Sequence, residues 1–98
     1  MEYGEELTLV KNALSKSRVN YEQNMRQVGE VIRLCHLEER ENCSEILDEG
    51  LHILSANAGS HTDLDVLESV LDNLYDAGII DSDKYELTVK KSACGRWL

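Results

Sequence analysis

The chain has no proline and no low-complexity stretch. This excludes Pro-rich or Gly/Ser-rich linkers, and no repeat of helical-array length is present. One domain over residues 1–98 is expected. No apolar run approaches the ~18 residues of a membrane span. The opening MEYGEELTLV has neither the basic region nor the apolar stretch of a secretory leader. A cytoplasmic location is the expectation. Three cysteines cannot all pair within one chain, so reduced thiols are the simplest state. Catalytic signatures are missing too: there is no phosphate-cradling glycine loop, no G-x-S-x-G, no H-E-x-x-H and no D-x-D-x-D-G calcium loop. No enzyme, and no cofactor, is expected.

Bases are scarce where acids are dense. The net charge is −9, and it is unevenly spread. Residues 1–34 balance five acids with five bases, whereas residues 35–83 carry thirteen acids against Arg40 alone. Residues 84–98 reverse the sign, with four bases and Glu86. A negative middle disfavours direct nucleic-acid binding and anionic membranes and favours a protein partner with a basic surface. The basic tail has two uses open to it, folding back on the acids or making a separate contact. With 98 residues, 42% hydrophobic and 30% charged, the composition is that of a soluble globular domain able to bury one core.

What is present is helical periodicity. Leu7, Val10, Leu14, Tyr21, Met25, Val28, Ile32 and Cys35 fall at spacings of three and four, with Ser17 in the one gap. This predicts a long first helix over Glu5–Leu37, a rod of about 45 Å at 1.5 Å per residue. That exceeds what a domain of about 13 Å radius of gyration needs. Part of the stripe is therefore expected to be covered by a second copy in a homodimer.

Three further segments follow. Asn42, with Glu45 three positions on, reads as a capping box opening a second helix lined by Ile46, Leu47, Leu51 and Leu54. Gly59 is the expected left-handed end of that helix, and Gly50 within it suggests close packing. Ser60 or Thr62 caps a third helix with Leu64, Leu67, Val70, Leu71 and Leu74 inside, ended by Gly78, and Ile79 and Ile80 then enter the core. Asp81 or Ser82 caps a fourth segment over 82–93, which alternates like a strand at Tyr85, Leu87 and Val89. With no second strand to pair with, helix is the better reading. The stretch LDNLYDAGIIDSDKYEL, with Gly78, the Ile79–Ile80 pair and Tyr85, resembles the short oligomerisation modules called SHOCT domains, and a likeness of that length names no family. The expected architecture is an all-α bundle of four helices with a long first helix, dimeric through its stripe.

LCHLEERENCSEILDEGLH holds Cys35, His36, Cys43 and His52, a ligand set that zinc accepts. The spacing opposes it, because Cys35 and His36 are adjacent and the later gaps are six and eight residues, not the short pairs of structural sites. Cys35 completes the apolar stripe, where a free cysteine acts as a small hydrophobe. Catalytic redox use is opposed by the acids around Cys43.

The strongest functional signal is charge. Asp65, Glu68, Asp72 and Asp76 share one face of the third helix, and like charges four apart destabilise a helix by a few tenths of a kcal/mol per pair. Glu45 and Asp48 form a second patch. A solvated face is the bland reading of such a run. The functional reading is a small acidic factor that occupies a basic, nucleic-acid-binding type of site on a partner protein, as inhibitors, antitoxins and immunity proteins do. A second reading is a small helical chaperone or adaptor gripping a client helix through the first-helix stripe. A zinc-stabilised regulator is the third.

Overall fold

The stripe from Leu7 to Cys35 does not follow one rod, because the chain turns back at residues 17–20. The computed structural model describes residues 3–92 and holds five helices: α1 (Tyr3–Lys16), α2 (Tyr21–Leu37), α3 (Cys43–Asn57), α4 (His61–Asp76) and α5 (Ser82–Lys91). Among the described residues there is no strand. The class is all-α as expected. The long first helix is instead two, which raises the expected count of four to five.

The turn has a local chemistry. The Ser17 hydroxyl accepts the Val19 N–H at 3.1 Å, the kind of side-chain bond that competes with helix. Asn20 adopts a left-handed conformation at φ 61°, which asparagine tolerates better than most residues. The Tyr21 N–H then returns to the Arg18 carbonyl. Folding back lets the two halves of the stripe cover each other. Leu7, Val10 and Leu14 of α1 and Met25, Val28 and Ile32 of α2 are all buried. The area assigned to a second chain is thus satisfied within one, and the described residues extend only 36 Å along their longest axis.

The central helix is α2, packed against α1, α3 and α4, while α5 lies across α3 and α4. Two glycines set how closely these helices approach. A Cβ at Gly29 would stand 2.5 Å from Val70 Cγ1, and one at Gly50 would stand 2.5 Å from Ile32 Cδ1. The helix penalty of Gly50, about 1 kcal/mol relative to alanine, is therefore offset by the contact it permits.

Helix ends follow the sequence in most places. Ser60 and Asp81 accept the N–H groups of Asp63 and Lys84 and start α4 and α5. Gly78, at φ 75°, ends α4 with the Ile79 N–H on the Leu74 carbonyl, a Schellman arrangement. Ile80 enters the core and Ile79 is half-buried. Segment 82–91 is helical. Two expectations fail. Asn42 makes no side-chain cap, because its backbone at φ −96°, ψ 20° is not the extended conformation that aims a cap. Gly59 is not left-handed; its N–H goes to the Asp63 carboxylate instead, at 3.2 Å.

Candidate functional site

The site is built on α4. Leu64, Leu67, Val70, Leu71 and Leu74 are buried, which turns the opposite side to solvent. Asp65, Asp72 and Asp76 are exposed there, and Glu68, at the edge nearest the core, is half-buried. At 100° per residue the four lie within an arc of about 80°, along about 16 Å of helix. The structure thus brings the four expected residues into one strip. Among the described residues none of the four makes an ion pair. The last turn of α4 holds no base, so Asp72 and Asp76 also face the negative end of the helix dipole.

Beside the strip stands an aromatic pair that the sequence reading passed over. The rings of Tyr75 and Tyr85 meet edge to face, with centroids 6.4 Å apart at 81°. Tyr75 is 49% exposed. With Asp72, Ser82 and Glu86 the two rings line an open hollow between α4 and α5. Burial, and then the neighbouring Asp72 carboxylate, push the Tyr85 hydroxyl up to about 12. The signal for Tyr75 was its position three residues after Asp72. Tyr85 could not be placed while its segment read as either helix or strand.

The second expected patch is separate. Glu45 and Asp48 are exposed on α3, and Asp48 stands 3.6 Å from Lys84 Nζ of α5. The negative field of the middle region is therefore interrupted by α5, which sends Lys84 towards α3 and Tyr85 towards α4. Of the basic end, Lys84 alone meets an acid of the middle region among the described residues. Lys90 and Lys91 remain exposed. The rest of the basic tail, including Arg96, lies outside the described residues.

The apolar stripe offers no binding surface, since Met25 and Val28 are 0% exposed. A client helix could reach them only by parting α2 from the helices packed on it. The Cys/His stretch divides likewise. Cys35 is in the core, His36 and His52 are exposed on different helices, and among the described residues no group of three or more potential ligands could hold a metal ion. Cys43 does come beside Cys35, a proximity that an eight-residue gap did not announce.

One acid of α4, Asp63, is buried and lies apart from the strip. Asp63 accepts hydrogen bonds from Arg18 and from the Gly59 N–H, and its role is to tie the α1–α2 turn to the start of α4. No helix among the described residues is long and apolar enough to cross a membrane. Comparison with protein-family models, with curated proteins and with solved structures finds no match to this chain.

Proposed function

We propose that this domain binds a basic segment of a partner protein along the outer side of α4 and occupies a site of the kind that otherwise holds an anion such as nucleic acid. It acts by binding, without catalysis, as an inhibitor-like or immunity-like factor. The observation that supports the reading is the strip Asp65–Glu68–Asp72–Asp76, unpaired with any cation among the described residues and flanked by the half-exposed Tyr75 ring. The carboxylates supply attraction and fast association at low salt. The tyrosine faces give a guanidinium or ammonium group a place to rest, worth about 0.5–1 kcal/mol at an exposed site. Glu45 and Asp48 form a weaker secondary contact, because Lys84 already neutralises part of that patch.

The test uses a short arginine-rich peptide titrated into isotope-labelled protein. The expected result is amide shifts centred on α4 residues 65–76 and on Tyr85, shrinking as salt rises from about 50 to about 500 mM. Shifts spread evenly over every acidic surface would reduce the strip to a solvated face and end the proposal.

A further inference from the structure

Two thiols eight positions apart meet across the α2–α3 connection. Cys35 Sγ lies 3.4 Å from Cys43 Sγ, and the Cys43 thiol donates to the Cys35 carbonyl at 2.9 Å. The connection that brings them together is a tight reversal. Glu39 takes a left-handed conformation at φ 54°, and the Arg40 N–H bonds to the same Cys35 carbonyl. Cys35 is 1% exposed in the last turn of α2, whereas Cys43, the first residue of α3, is half-buried and reachable. Both are free thiols. A disulfide needs sulfurs about 2.05 Å apart, so each has less than 1 Å to travel.

We infer that Cys35 and Cys43 form a dithiol oxidation site that closes by exchange with a low-molecular-weight disulfide, clipping the end of α2 to the start of α3. Cys43 gives up its proton to solvent, and its thiolate attacks one sulfur of the small disulfide. That S–S bond breaks, one small thiolate leaves, and a mixed disulfide remains on Cys43. Cys35 then loses its proton to water and attacks Cys43 Sγ. The mixed bond breaks and expels the second small thiolate. The two protein thiols lose two electrons and two protons, and the reagent gains them as two thiols. The order follows from access: the reagent reaches the half-buried sulfur, and the buried one resolves the intermediate from contact distance. This site is independent of the α4 strip and holds whether or not that strip binds a partner.

The test uses the full chain with Cys94→Ser, which leaves only this pair. The protein is equilibrated with glutathione at stepped reduced-to-oxidised ratios, alkylated, and read by intact mass and peptide mapping. Both thiols should disappear together in one two-electron step, yielding a peptide cross-linked between Cys35 and Cys43 within one chain. The oxidised form should melt higher by on the order of 10–20 °C, since a short loop is closed in the unfolded chain. Adding Cys35→Ser should trap glutathione on Cys43. Two alkylatable thiols persisting at the oxidising end, a glutathione adduct accumulating while both cysteines are present, or a bond forming only between chains would each overturn the inference.

Discussion

Arg18, in the turn between α1 and α2, donates through Nη2 to the carboxylate of Asp63 in the first turn of α4, while its guanidinium lies 3.9 Å from the centre of the Tyr21 ring. The two residues are 45 positions apart. The pair is asymmetric, since the Arg18 side chain is 65% exposed and that of Asp63 only 5%. Water screens the arginine, so the Coulombic part of the contact is modest. The buried carboxylate matters more, because it also accepts the Gly59 N–H.

Replacing Asp63 by alanine removes an acceptor from both donors. Gly59 is exposed, so its freed N–H turns to water, and the loss is the net worth of the bonds to the buried carboxylate, about 1.5–3 kcal/mol. Urea unfolding of Asp63→Ala should show a loss in that range, and Arg18→Ala a smaller one. If Arg18→Ala costs more than Asp63→Ala, the exposed partner carries the contact and this account is wrong.

Gly50 supplies a packing prediction with a built-in rescue. Alanine there gains helix propensity, about 1 kcal/mol, but its Cβ meets Ile32 Cδ1 at 2.5 Å and Ile32 Cγ1 at 2.8 Å. The side chain of Ile32 is buried and has little room to yield. Overpacking of this kind costs typically 1–3 kcal/mol, so Gly50→Ala should lower stability overall. Ile32→Val removes Cδ1, the nearer of the two clashing atoms, and so relieves the overlap in part while Cγ1 remains at 2.8 Å. The double variant should therefore lose less than the two single losses added together, and simple additivity would show that Gly50 is not a point of close approach.

These two cases mark what could be read from the sequence. Ser60, Gly78 and Asp81 were legible because caps and left-handed ends are made by residues within a few positions of one another. The inner faces of α3 and α4 were legible because burial follows a 3.6-residue period. The turn at residues 17–20 was not, since an unbroken stripe fits one straight helix or two folded together equally well. What favours folding is burial of one half on the other, plus an anchor 45 positions away. The acidic strip lies on a single helix and was read in full. Its aromatic neighbour depends on where α5 docks, which no local pattern encodes.

Alkaline pH should unfold the domain earlier than its ordinary groups would. Burial first, then the hydrogen bond with Cys43, push the Cys35 thiol from 9.0 up to about 11. Burial first, then the Asp63 charge, push the Tyr21 hydroxyl from 10.0 up to about 12. In both cases the folded state holds its proton more tightly than the unfolded one. This contribution to stability is complete below pH 9 and declines as pH rises towards 11 for Cys35 and 12 for Tyr21. Urea midpoints measured from pH 8 to 11 should fall, and Cys35→Ala should flatten the first part of that fall. An unchanged slope in the variant would assign the decline elsewhere.

The α4 strip can be tested against its bland reading by one substitution. Asp72 stands four residues from both Glu68 and Asp76, and it lies in the half of α4 where the dipole favours a cation. Asp72→Lys turns two repulsive i,i+4 pairs into attractive ones, a gain of roughly 0.8–2 kcal/mol together. Against this stands the lost approach of the Asp72 carboxylate to Tyr85 across the hollow between α4 and α5. The variant should be at least as stable as the parent at low salt, and its advantage should shrink as salt is added. It should also bind the arginine-rich peptide several-fold more weakly. A more stable variant with weaker binding means that the carboxylates are kept at the expense of stability because they contact a partner, as is common at functional sites. A more stable variant that binds equally well would leave the strip with no function beyond solubility.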